Sequence, residues 1–379
     1  MSHTMLNPLS AIQHENPYGW YGMLTREQPF RFDPVMKLWI AADAASVTAV
    51  LEASQLQVRP VSEPVPTSLV GTVAGDVFGN LVRMREGEHQ QRLKSIIVQA
   101  LATVDLQQVQ QKAFVYARHC LQRHDEINDL LFTVPATVVA SLCGFSDDAL
   151  PEMSALIAEF VLCIPASASA EQQARASLAA EQLLTHYGNQ LEQVKEGTLL
   201  AALVHAAVAD DWSHRAALIA NSIGLLSQTY DATAGLIGNS LLAAQRFSQA
   251  FSGASLTDFV EEVARFDAPI QNTRRFAAAP FDWRGERVAA GEAVLLLLAA
   301  ANRDEQANPQ ADEFIPDRID RRCFTFSHGR HRCPGQGLAV AITSGFLDAL
   351  RQHDASAIKT LRCTGYRSSG NARIPELSL

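Results

Sequence analysis

The sequence has little that would mark it for export, for a membrane or for nucleic acid. Its 379 residues carry 31 lysines and arginines against 40 aspartates and glutamates, a formal net charge of −9. That shortage of positive charge argues against general nucleic-acid binding. Six cysteines (Cys120, Cys143, Cys163, Cys323, Cys333 and Cys363) are scattered without a pairing pattern. This suits a reducing cytoplasm and not a disulfide scaffold. Met1 to Trp20 holds Pro8, His14, Glu15 and Pro17 but no apolar run, so neither a signal peptide nor a membrane anchor is expected. No Gly/Ser-rich or Pro-rich linker divides the chain, which predicts one domain over 1–379. Its β-containing part is expected mainly in 25–60 and 265–379, and its helical part in 86–265. There is no internal repeat, and the Ala/Ser patch at 166–170 is the one low-complexity tract. A hydrophobic content of 47% is enough for a substantial core.

What the chain does contain is concentrated near its C-terminal end, in Phe326-Ser-His-Gly-Arg-His-Arg-Cys-Pro-Gly335. Cys333 lies between two turn-forming glycines, Gly329 and Gly335, beside basic side chains. A thiolate is a soft, electron-donating metal ligand, and neighbouring cations lower a cysteine's pKa. The glycines let the backbone turn sharply and approach a flat ligand with no Cβ in the way. A helix-forming run, Gln336 to Leu350, follows at once. Cys333 is therefore placed just before a helix N-terminus, where an anion is favoured. Two other readings stand beside this one. Cys333 as a buried, inert thiol is the first. Zinc held by Cys323, His328, His331 and Cys333 is the second, although the spacing lacks the usual paired-knuckle form.

Periodicity supplies the rest of the outline. Phe30–Phe32 and Leu38–Ile40 are strand-like, Ala42–Ala53 is helical, and 59–80 has no clear period. Glu86–Ala102 reads as a helix. Residues 104–208 are mostly helical, with breaks near 125–126, 144–147 and 165–169. From an N-cap at Asp211 or Ser213 to about Arg246, no proline interrupts an apolar segment, giving a buried helix of roughly 50 Å. Its middle carries Gln228-Thr-Tyr-Asp-Ala-Thr233, and buried polar groups there are costly unless paired or functional. A helix over Ser255–Phe266, capped by Ser255 or Thr257, puts Glu262 and Arg265 on one face. A strand pair is expected around Ala290-Gly291, with polar strands and turns over 351–379.

The pattern Phe-x-x-Gly-x-x-x-Cys-x-Gly, with its following helix, resembles the haem-ligand loop of the cytochrome P450 family. Three more segments match that family in order. Gln228–Asn239 resembles the oxygen-activation motif of its long central helix, Glu262-Val-Ala-Arg265 its Glu-x-x-Arg pair, and Ala301-Asn-Arg-Asp304 its Ala-Asn-Arg-Asp segment. The resemblance implies a mainly α fold with small β-sheets and a long central helix over a haem. It implies haem b with Cys333 as the axial thiolate, and Phe326 and Gly329 in the haem loop. His331, Arg275 (with Arg274 as competitor) and Lys94 would face the propionates, and Glu262 and Arg265 would lock the core. Where the family carries a His and an Arg on the helix over 86–102, this chain has Gln90 and Lys94, so His89 or Arg92 is a candidate substitute. In the central helix the acid is Asp231, Ala232 stands where the proton-delivering threonine is usual, and Thr233 follows, turned by about 100°.

The activity implied is that of a haem-thiolate monooxygenase. It would oxidise a small organic molecule of specialised metabolism with O₂ and two electrons from a partner such as a ferredoxin and its reductase. The enzyme would be a cytoplasmic monomer with no nucleic-acid or membrane partner. Ala232 keeps open an oxidase that couples, desaturates or uses peroxide; a haem-binding sensor without turnover is the third reading. Arg318, Arg321, Arg322, Arg330 and Arg332 would suit an acidic electron donor, or pair internally. Residues 59–80, 160–170, 225–233 and Gly365–Asn371 are expected around the substrate.

Overall fold

Residues 6–378 are described by a computed structural model. After α1 (Tyr18–Glu27) come β1 (Phe30–Asp33), β2 (Leu38–Ala41), α2 (Ala44–Glu52) and β3 (Leu56–Gln57). The helical body follows: α3 (Val73–Asn80), α4 (Gly87–Ala102), α5 (Leu106–Gln122), α6 (Ile127–Leu142), α7 (Leu150–Phe160), α8 (Ala170–Glu192), α9 (Leu199–Ala209) and α10 (Arg215–Arg246). Beyond α11 (Ser248–Gly253) and α12 (Leu256–Phe266) lie β4 (Thr273–Ala277), β5 (Phe281–Trp283), β6 (Glu286–Val288), β7 (Ala293–Leu296) and α13 (Leu298–Asn302). A long irregular stretch leads to α14 (Gln336–His353), α15 (Ala355–Thr360), β8 (Arg362–Tyr366) and β9 (Pro375–Ser378). The architecture is mainly α with small sheets. Among the described residues, no helix is long and apolar enough to cross a membrane.

The central helix α10 forms as one continuous element of 32 residues and is buried over most of its length. Its start departs from expectation: His214 holds the N-cap position, without a side-chain hydrogen bond, and neither Asp211 nor Ser213 caps the helix. At α12, Ser255 is the cap, its side chain accepting from the Asp258 amide. Helix α3 falls where no period was legible. Two of its eight residues are glycine, a poor helix former, and it is held by the Thr72 cap on Gly75.

Strand order β1-β2-β7-β4-β3 makes a five-stranded sheet in which β2 and β7 run parallel. The expected strand pair around Ala290-Gly291 does not form. Strand β6 pairs with β5, whereas β7 joins the large sheet between β2 and β4. The Gly291 amide donates to the Ala277 carbonyl at 2.8 Å, which ties the intervening turn to the end of β4. In β4 the alternation buries Arg275 and leaves Arg274 exposed.

Helix α14 carries the Cys333 loop at its N-terminus and lies directly against α5. The approach is so close that a methyl on Gly345 would run into the Gln110 carbonyl and come within 2.8 Å of the Ala113 Cβ. Gly345→Ala therefore costs about 1–3 kcal/mol by pushing two core helices apart. A thermal or urea unfolding curve checks this, and an unchanged midpoint contradicts the packing account.

Candidate active site

A cavity of about 500 Å³ lies between α10, α4, β4 and the loop that precedes α14. Cys333 and Phe326 form part of one wall, and Gln228, Asp231, Ala232 and Thr233 part of another. The cysteine loop is fixed by its backbone. The Cys333 amide donates to the Phe326 carbonyl at 2.7 Å, and the Arg332 amide to that of Gly329 at 3.0 Å. Gly329 has φ +63, and an added Cβ would face the Leu51 carbonyl at 3.6 Å. This glycine therefore serves the turn against α2 and not the approach of a flat ligand; Gly335, in the cavity wall, suits that role. Cys333 is the one cysteine in the wall among the described residues, and its accessible surface opens into the cavity. Burial pushes its thiol pKa up, opposed by the Gly335 amide and the charges of Lys94 and Arg332.

The cations expected at a carboxylate-bearing edge are partly assembled. Arg275 and His331 line the cavity. Arg275 donates through Nη1 to the Arg274 carbonyl at 2.8 Å, and its Nε is buried with no partner. His331 Nε2 lies 3.1 Å from Glu86, which also pairs with Arg330. Burial lowers the His331 pKa and the Glu86 hydrogen bond opposes it. Burial pushes Glu86 up, but His331 and Arg330 outweigh that and leave it below the ordinary carboxylate value. On α4, Gln90 and Lys94 reach the cavity. Lys94 donates to the Arg332 carbonyl at 2.5 Å, which brings its charge near the Cys333 sulfur. His89 and Arg92 do not reach the cavity. His89 packs at a tilt against Trp212 and His214, and Arg92 pairs with Asp210 at 3.0 Å.

On α10, Asp231 opens onto the cavity, and burial raises its pKa against the charges of Arg367 and Arg83. Thr233 is buried in the wall beside Ala232. Gln228 donates to the Gly224 carbonyl at 3.1 Å and Thr229 to that of Leu225 at 2.7 Å, so both are tied to their own helix. The expected substrate contacts are thinner than the sequence implied. Of 59–80 only Arg59 lines the cavity, of 160–170 only Ile164, and of 365–371 only Asn371. Val82, Arg83 and Met84, just past the earlier loop, line the cavity instead.

The zinc reading fails on geometry. His328 turns to Glu52 at 2.9 Å and His331 to Glu86, and no metal-holding group of three such side chains exists among the described residues. The basic cluster is also largely internal. Arg318 and Arg321 bond to buried Glu262, and Arg330 donates to the Leu56 carbonyl at 2.6 Å as well as to Glu86. Arg322 and Arg332 remain exposed.

This donor set fits haem. A sulfur faces the cavity, and the partnerless Arg275 Nε, with the Lys94 cation and the His331 ring, offers hydrogen-bond donors for two propionates. Comparison with known proteins agrees. A sequence profile described as Cytochrome P450 matches residues 255–353. The biotin biosynthesis cytochrome P450 of Bacillus subtilis is 24% identical over 86% of this chain and 86% of its own. The vitamin D(3) 25-hydroxylase of Pseudonocardia autotrophica is 32% identical over 59% of this chain and 58% of its own. The crystal structure of P450BioI in complex with hexadec-9Z-enoic acid ligated acyl carrier protein superposes with a TM-score of 0.80 at 22% identity, covering 96% of this chain and 97% of that one.

Proposed function

The chain belongs to the cytochrome P450 family of haem-thiolate monooxygenases, and on that premise we propose that it oxidises a small organic substrate of specialised metabolism with electrons from a ferredoxin-type donor. The observation that carries this reading is the cavity itself, with the Cys333 sulfur in one wall and the polar mid-section of α10 in another. When bound, haem supplies the activation of O₂. Cys333 holds it by the thiolate, and Arg275, His331 and Lys94 orient it at its carboxylate edge. Ile97, Leu101, Ile164 and Leu225 keep much of the cavity wall apolar and exclude water from the reacting centre. Arg322 and Arg332 are left as the exposed cations for an acidic donor protein, in a cytoplasmic setting. Oxidation under ¹⁸O₂ tests the reading: the product carries one labelled oxygen, and an unlabelled product rejects oxygen insertion.

A second reading, coupling, desaturation or peroxide use, is favoured by Ala232. Its methyl cannot hold a proton, Gln228 and Thr229 donate to their own helix, and Asp231 is the acid of α10 that opens on the cavity. Ala232→Thr adds a hydroxyl to that wall. If insertion is the reaction, this lowers the peroxide released per product molecule, because the wall gains a proton donor. Peroxide and product assays on the same sample measure it, and an unchanged ratio removes the proton-relay argument.

A further inference from the structure

We propose that Arg83 anchors a carboxylate of the substrate, which makes the substrate class an organic acid. This rests on the monooxygenase reading above.

The side chain is held in place by the fold. Arg83 lies in a tight turn, Val82–Met84, between α3 and α4. Asn221 of α10 pins that turn from both sides: its Oδ1 accepts from the Val82 amide at 2.8 Å, and its Nδ2 donates to the Asn80 carbonyl at 2.8 Å. Leu81 seats against Gly224, where any Cβ would fall 2.8 Å from the Leu81 Cδ2. The backbone that carries the guanidinium is thereby fixed at the cavity wall before any ligand arrives. Such preorganisation lowers the cost of binding.

The half-buried side chain also lacks a counter-charge. Its Nε is buried with no hydrogen-bond partner. Among the described residues no carboxylate forms an ion pair with it; Asp231 is the charge it senses, from beyond contact. A guanidinium partly withdrawn from water without a counter-charge carries a cost, and a planar carboxylate satisfies it through two parallel hydrogen bonds.

Haem's own carboxylates do not account for it. Arg275, His331, Glu86 and Arg330 form one mutually interacting charged group. Arg83 instead sits on a turn that is bonded to α10. The donors assigned above to the propionates, Arg275, His331 and Lys94, do not include Arg83.

The test titrates haem-loaded wild-type protein and Arg83→Met with C8 to C16 alkanoic acids, arylalkanoic acids and the methyl ester of each, read by the shift of the haem absorption band. In wild type, at least one acid binds tenfold or more tightly than its ester, and Arg83→Met loses that preference while haem content is unchanged. Arg83→Lys recovers part of it, as a point charge without the fork. Without any ligand, Arg83→Met melts at a higher temperature than wild type, because an unpaired, half-buried cation is gone. If no acid in the panel outbinds its ester, the inference fails. It fails equally if Arg83→Met loses haem, or if the unliganded variant melts lower. Failure of the monooxygenase reading would be separate: acids would still bind selectively, with no labelled oxygen in any product.

Discussion

Cys333→Ser abolishes the haem-thiolate absorption of the reduced, carbon monoxide-bound protein and lowers turnover on the order of a thousandfold or more. A serine hydroxyl does not ionise at neutral pH and offers a hard, weak donor where the wall otherwise presents a soft anion. No neighbour substitutes for the sulfur. Cys323, ten positions earlier, is absent from the cavity wall, and burial raises its thiol pKa. The loop itself should survive the change, because its closing hydrogen bond runs from the Cys333 backbone amide to the Phe326 carbonyl. Folded, haem-poor protein is thus the expected preparation. Reduced carbon monoxide spectra of the two proteins decide the matter. A variant spectrum identical to wild type would remove Cys333 as the ligand, and Cys323→Ser serves as the control that leaves the spectrum unchanged.

The parts of this site that were legible in the sequence are those whose residues are close together in it. The cysteine loop and the Glu262/Arg265 pair each fit within ten residues, and local geometry delivers them intact. Rotation about a helix was legible only through the resemblance, which set Gln90 and Lys94 toward the haem, where both line the cavity, and kept His89 or Arg92 as substitutes, which do not. His89 and Gln90 are adjacent, yet one packs against Trp212 and the other is buried toward the cavity, because a helical step turns a side chain by about 100°. What depended on burial was not legible. A lone arginine in Val82-Arg-Met84 carries no local sign that Asn221, 139 residues away, pins its turn against α10. The arginine-rich stretch misled in the opposite direction. Read as charge it suggests an exposed patch, but Arg318 and Arg321 are spent on one buried carboxylate, which only the tertiary fold could bring to them. Helix α3 escaped because its glycines mimic a loop composition, and β6 and β7 because a turn between strands does not say which partners they take.

That buried carboxylate carries the second large effect. Glu262→Gln is expected to destabilise the fold by about 3–5 kcal/mol, the cost of breaking a buried ion pair from one side. Both Glu262 and Arg265 side chains are 0% exposed. Arg265 spends every donor it has: Nη2 and Nε on the Glu262 carboxylate at 2.6 and 3.0 Å, and the rest on the carbonyls of Asn302, Ala311 and Glu313. The carboxylate in turn accepts from Arg318 at 3.4 Å, Arg321 at 3.1 Å and the Ile315 amide at 3.0 Å. Neutralising it leaves three largely buried guanidiniums facing an amide that accepts through one oxygen only. The loss is a large share of the roughly 5–15 kcal/mol that holds a domain together. It falls on the contact between α12 and the irregular stretch 309–322 that feeds the cysteine loop, so haem retention should drop with stability. Arg318→Gln should cost less, because its bond to Glu262 is the longest of the set and its other donors reach the carbonyls of Pro309, Gln310 and Glu313. Urea unfolding of the two variants ranks them. Equal midpoints, or a Glu262→Gln midpoint at the wild-type value, would mean that apolar packing and not this network fixes α12 beneath the loop.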